Sequence, residues 1–222
     1  MQTFNFNNYL IHIYPSAIPE NAPILYTHFA LVEADKIMEL CHHAAPFTLI
    51  SIDGIDWNRD LSPWQAEKVF KGGEDFAGCA DAYLQVLTKE MIPEIEKDLG
   101  LIPVNRGIFG YSMAGLFSLY ALYKTDLFQL AASMSGSLWF DGFLNYMQTH
   151  DLQSPVERIY FSLGEKEKKT KNPRMAQVEV ATTKAEQYIK YLGINTIYEV
   201  NQGNHFANVA ERIVKGLKWL VA

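Results

Sequence analysis

Ser112 stands in the stretch NRGIFGYSMAGLFSLYALY (residues 105–123), between an apolar run short enough for a buried strand and a longer apolar run of helical composition. A serine on so abrupt a strand-to-helix turn holds its hydroxyl clear of both elements, and small neighbours let the two backbones pass closely. Gly110 and Gly115 supply that smallness; the usual pattern is GxSxG, whereas here Ala114 takes the fifth position and glycine follows it. A serine hydroxyl is a poor nucleophile until an imidazole takes its proton and a carboxylate fixes the imidazole tautomer. His205, in GNHF, follows the last strand-like run, a placement that His12, His28, His42, His43 and His150 lack. Between serine and histidine, the loop after ERIYFSL carries Glu165 and Glu167. Glu167, three residues past Gly164, is the preferred acid, with Glu165 and Asp141 as alternatives. The order Ser, Glu, His is the one that acyl-transfer sites use at the carboxyl ends of parallel strands.

Such chemistry also needs hydrogen-bond donors for a developing oxyanion. The backbone N–H of Met113, next after the serine, is one; the second is expected on the loop THFA, near Phe29 or Ala30. Trp57, Trp64 and Trp139 lie in loops on the same side and either wall a substrate pocket or pack those loops onto the core. Other motifs fail on spacing. In the triplet Cys41–His43 adjacent helical side chains point apart, so no metal is expected. DGIDWNRD has its glycine misplaced for a calcium loop, and KGGEDFAG lacks the GK[ST] ending of a phosphate loop.

These residues need a scaffold of strands whose ends converge. Strand patterns occur at residues 8–16, closed by Pro15 and Pro19, and at 22–29, 47–55, 105–111, 128–134, 157–163 and 195–200. Helical patterns occupy residues 33–43, 80–100 with a kink or break at Pro93, 113–123, 143–150, 175–192 and 207–220. From about Pro23 the two alternate, which predicts an α/β fold: a mainly parallel sheet with helices on both faces and right-handed crossovers. No connection is long enough for a large cap domain. With 222 residues, 49% hydrophobic, the chain is expected to form a single domain over residues 1–222.

A formal charge of −6 and the lack of a basic tail argue against a nucleic-acid partner. The N-terminal residues show no basic region followed by an unbroken apolar run, so no signal peptide is expected, and no run reaches membrane-spanning length. Two cysteines, Cys41 and Cys79, make no disulfide framework and fit a cytoplasmic setting.

GYSMAGLFSLYALY, WNRDLSPW, SGSLWF and SLGEKEKKTKNP, in that family's order though not each decisive alone, resemble the putative esterase family of α/β hydrolases, which includes esterase D-like and siderophore esterases. The resemblance covers most of the chain from about Pro23. It implies the α/β-hydrolase fold, a nucleophile at Ser112, a histidine at His205, an acidic turn at Glu165 to Glu167, and no cofactor. The expectation is a serine carboxylic-ester hydrolase that forms an acyl-enzyme with a small-molecule ester. The alternative is a noncatalytic α/β-hydrolase-like binding module that keeps Ser112 for turn geometry.

Overall fold

A computed structural model describes residues 1–18, 22–42, 45–100 and 102–222; Pro19 and His43, named above, lie outside the described residues. Its centre is the strand β7 (Arg106–Tyr111), apolar enough to be buried on both sides, and the helix α5 (Met113–Leu122), every residue of which is buried. A helix apolar all round can lie only where neighbours cover it on all sides, and α5 does so beneath the middle of the sheet.

The sheet has eight strands. In chain order the others are β1 (Gln2–Phe6), β2 (Tyr9–Tyr14), β3 (Ile24–Thr27), β4 (Thr48–Asp53), β8 (Leu130–Met134), β9 (Arg158–Gly164) and β10 (Asn195–Asn201). Their spatial order is β1-β2-β4-β3-β7-β8-β9-β10, with β1, β2 and β4 paired antiparallel and the rest parallel. Successive residues of a strand face opposite sides. On β7, Ile108 therefore joins one core and Phe109 the other; on β9, Ile159 and Phe161 join one and Tyr160 the other. The helices α1 (Leu31–Leu40) and α8 (Val209–Leu220) cover one face. The opposite face carries α3 (Ala80–Val86), α4 (Ile92–Asp98), α5, α6 (Phe143–Thr149) and α7 (Val178–Tyr191). The architecture is the expected α/β-hydrolase fold, with no large cap domain among the described residues.

Several local features differ from the sequence expectation for identifiable reasons. Residues 2–6, assigned no element above, form β1 because Asn7 adopts φ 51° and turns the chain into a hairpin, a conformation asparagine tolerates better than most residues. The loop WNRDLSPW contains the short helix α2 (Trp57–Asp60). Asp56 caps it by accepting from the N–H groups of Asn58 and Arg59, so this acidic stretch serves as a helix start. Gln65–Ala66 (β5) and Phe76–Ala77 (β6) add a small antiparallel ribbon. The break at Pro93 takes the form of a π-helical turn, Leu87–Met91, joining α3 to α4. The wider turn accommodates a residue that lacks an N–H and crowds the preceding carbonyl.

Candidate active site

The turn after β7 puts Ser112 at φ 58°, ψ −122°, a strained conformation for any residue with a Cβ. The surrounding backbone holds it there. The Ser112 N–H donates to the Met134 carbonyl at 3.2 Å, and the Ser112 carbonyl accepts from Gly115, Leu116 and Ser137 at 3.1, 3.2 and 3.0 Å. The close packing explains why the fifth position of the motif can be alanine. A Cβ on Gly110 would lie 2.3 to 2.5 Å from atoms of Ala114, so a bare Gly110 is what gives Ala114 its room. Gly115 in turn faces the Gly110 carbonyl and the Gly136 Cα, each 3.0 Å from where its own Cβ would sit.

Glu167 and His205 meet beyond the ends of β9 and β10. The Glu167 N–H closes a turn onto the Gly164 carbonyl at 3.0 Å, which folds the side chain back over the strand end. Its carboxylate is nearly inaccessible to solvent. Oε2 pairs with His205 Nδ1 at 2.7 Å, while Oε1 accepts from Ser135 Oγ at 2.5 Å, the Gly164 N–H at 2.6 Å and Arg212 Nη2 at 2.9 Å. Burial alone pushes this carboxyl up, but the bonds from His205, Ser135, Arg212 and Gly164 together outweigh it and hold it at about 2. With Nδ1 engaged, Nε2 is the histidine nitrogen left for exchange with a substrate.

Four residues that the sequence reading missed complete this arrangement. Arg212, buried on α8, also bonds to Ser135 Oγ and, at 3.2 Å, to the Asn204 carbonyl of the histidine loop. Ser135 adopts φ 46° just past β8, which turns its hydroxyl to the glutamate. Tyr111 donates from its hydroxyl to the His205 carbonyl at 2.7 Å, and the Arg212 guanidinium lies 5.3 Å from its ring centroid. Ser137 Oγ lies 3.5 Å from Ser112 Oγ. The one available signal was Arg212's position beside Ile213 and four residues before Gly216, on the apolar stripe of the last helix, where a solvated arginine would be out of place.

The remaining sequence candidates fall as follows. Glu165 is half exposed and lies 3.8 Å from Lys166; Asp141 is mostly exposed and pairs with Arg174 at 2.7 Å, so neither approaches His205 as Glu167 does. The Phe29 N–H is already committed to Ser51 Oγ at 3.0 Å, because that hydroxyl bridges the N–H and the carbonyl of the same residue. Among the described residues, the Met113 and Ala30 N–H groups have no protein acceptor. Trp139 lines a cleft of about 470 Å³ together with Ser112, Met113, Glu167 and His205. Trp57 lines a second cleft of about 370 Å³ that also reaches Ser112 and includes Phe29 and Ala30. Trp64 lines neither: its Nε1 donates to the Asp141 carbonyl at 2.9 Å, and its ring packs among Tyr120, Phe140, Phe143 and Tyr146. No helix among the described residues is long and apolar enough to cross a membrane.

A serine on a strained turn after the central parallel strand defines the α/β-hydrolase class. The family model for Esterase, described as putative esterase, matches residues 29–219, and the chain belongs to that family. It is a carboxylic-ester hydrolase, with a small-molecule ester as substrate. Over 180 residues it is 26% identical to the uncharacterized protein YbbA of Bacillus subtilis (strain 168), an alignment covering 78% of this chain and 72% of that one. An IroE-like serine hydrolase from Shewanella oneidensis superposes with a TM-score of 0.76 at 18% identity, covering 96% of this chain and 75% of the other. The siderophore hydrolase EstA from Aspergillus nidulans gives 0.67 at 16% identity, covering 96% and 89%. At such identities the structural likeness is one of fold.

Proposed function

We propose that Ser112, His205 and Glu167 form the catalytic triad of a serine esterase that works through an acyl-enzyme, with the chain acting as one domain in the cytoplasm. The observation that carries the reading is the 2.7 Å pair between His205 Nδ1 and Glu167 Oε2, lining the same cleft as a serine held at φ 58°. Ser112 Oγ lies 3.5 Å from Ser137 Oγ, and His205 Nε2 becomes its partner when substrate binds, since catalytic bonds are commonly long before then. Ser112 Oγ then attacks the ester carbonyl while Nε2 takes its proton. The N–H groups of Met113 and Ala30 receive the oxyanion, Ala30 replacing Phe29, whose N–H is engaged. His205 returns the proton to the leaving alcohol, and water repeats the sequence on the acyl-enzyme. Glu167 keeps the tautomer and offsets the imidazolium charge.

The siderophore hydrolase EstA and the resemblance to siderophore esterases make a catecholate trilactone one member of the substrate panel to try, beside thioesters, sugar acetates and acyl esters of graded length. The test of the triad is a fluorophosphonate probe followed by peptide mapping. The expected result is a single adduct on Ser112 and loss of p-nitrophenyl ester hydrolysis in Ser112→Ala. Folded protein with no adduct on Ser112 would return the noncatalytic binding module as the better reading.

A further inference from the structure

Ser112 is shared by the two clefts, but His205 lines only the larger of them. The alcohol of an ester must receive its proton from His205, so it departs through the cleft that His205 faces. This assignment rests on the triad reading above and makes the larger cleft the leaving-group side.

The lining of that cleft is unusual for this chain. Phe70 and Phe206 are the exposed phenylalanines among the described residues, 63% and 83% accessible, and both line this cleft from loops distant in sequence, Phe206 at its border with a neighbouring hollow. Apolar side chains left in water around a concave site mark a surface that binding covers. Lys68, Lys166 and Lys169 line it too. Its carboxylates are Glu74 and Glu167, and Glu167 is already bound to Arg212 and His205. Lys166 lies 3.8 Å from the exposed Glu165, while Lys68 and Lys169 have no carboxylate within ion-pair distance among the described residues. On a chain of net charge −6, this is a local reversal of sign. The smaller cleft has the opposite character: its charged lining residues are Glu33 and Asp53.

We propose that the larger cleft selects esters whose alcohol portion joins an aromatic or other apolar body to an anionic group. The apolar body covers Phe70, Phe206 and Trp139, and the anion meets the lysine rim. In the reaction the Ser112 Oγ–acyl bond forms as the acyl–alcohol C–O bond breaks. The serine proton passes through His205 to the departing oxygen, and water then restores Ser112. An anion on the acyl side instead meets Glu33 and Asp53 and gains nothing.

The test compares 4-acetoxybenzoate with 4-acetoxybenzamide, which share an acyl group and differ in leaving-side charge, each rate normalised to its hydroxide-catalysed hydrolysis. The mirrored pair is phenyl hydrogen succinate against methyl phenyl succinate, with the charge on the acyl side. Leaving-side charge is expected to raise kcat/KM about three- to fivefold, mainly through KM, from exposed pairings with Lys68 and Lys169. The preference should shrink toward unity at about 0.5 M salt and in the Lys68→Gln/Lys166→Gln/Lys169→Gln variant, while Lys97→Gln retains it. Equal rates within the first pair, or a preference for acyl-side charge, would overturn the proposal while leaving the esterase reading intact. If no ester turns over, the triad reading fails, and calorimetry with 4-hydroxybenzoate and 4-hydroxybenzamide still reads the subsite: tighter, salt-sensitive binding of the anion supports it, and equal binding overturns it.

Discussion

Arg212 and His205 hold opposite oxygens of one buried carboxylate: the guanidinium meets Glu167 Oε1 at 2.9 Å and the imidazole meets Oε2 at 2.7 Å. The histidine is thus oriented by a group that is itself oriented from behind. Three donors on Oε1 leave the carboxylate no alternative rotamer that keeps its bonds, and the same bonds keep it ionised despite burial. Arg212 also reaches the Asn204 carbonyl, so one guanidinium ties the acid to the loop that carries the base.

Replacing Arg212 with glutamine should therefore harm both stability and catalysis. Removing one partner of a buried ion pair leaves an uncompensated charge, at a cost of about 3 kcal/mol. The Glu167 carboxyl rises from about 2 because burial is then less fully opposed. The acid-unfolding midpoint is expected to move to higher pH, and kcat and the denaturant midpoint to fall, with Arg212→Lys intermediate in each. Midpoints and kcat all equal to wild type would show that the arginine is a bystander.

The choice of acid is tested by amides. Glu167→Gln keeps the shape but cannot hold the required histidine tautomer, and a loss in kcat of about 10³- to 10⁴-fold is expected. Glu165→Gln and Asp141→Asn alter exposed groups that pair with Lys166 and Arg174, and their kcat should stay within about twofold of wild type. A large loss in Glu165→Gln with little effect in Glu167→Gln would reverse the assignment.

How much of this was readable beforehand depended on whether a feature is local. The strand, turn and helix around Ser112 are a local pattern, Glu167 and His205 each follow a strand of an alternating chain, and the sheet followed from that alternation. Glu165 and Glu167 share one turn, and only the fold of that turn onto the Gly164 carbonyl separates them. Arg212 and Ser135 lie 45 and 32 residues from the glutamate they contact, and no spacing rule joins them to it. The Phe29 N–H fell to Ser51, a hydroxyl on the neighbouring strand β4. Trp64 was indistinguishable in sequence from Trp139, because whether a loop tryptophan faces a cleft or an aromatic cluster is decided by packing.

The Gly110 and Ala114 contact yields a stability prediction. A methyl at position 110 would meet the Ala114 carbonyl carbon, Cβ and oxygen at 2.3, 2.4 and 2.5 Å. Two of those atoms are backbone, so the helix itself must shift. Gly110→Ala should cost about 3 kcal/mol or more and lower soluble yield. Ala114→Gly should cost only about 1 kcal/mol of helix propensity. The double variant should not recover, since the backbone clash persists. Recovery in the double variant, read by thermal midpoint, would mean that the Ala114 methyl alone sets the spacing.

His28 links stability to mild acid. Its ring is buried against Tyr83 and Phe117, neither nitrogen has a partner among the described residues, and burial lowers its value from 6.5 to about 3. A base whose folded-state value is depressed binds fewer protons folded than unfolded across that interval. The stability it permits is therefore complete above pH 6.5 and is lost as pH falls toward 3. Glu167, lowered from 4.5 to about 2, loses its contribution only below about pH 4.5, so the range from pH 7.5 to 5 isolates the histidine. Over that range the wild-type protein should lose about 2 kcal/mol by this route, read from urea midpoints. His28→Leu removes the titration and the two unsatisfied nitrogens, and its midpoint should fall markedly less over the same interval. Parallel losses in the two proteins would mean that His28 gains a partner or solvent in the folded state and does not titrate as a buried neutral group.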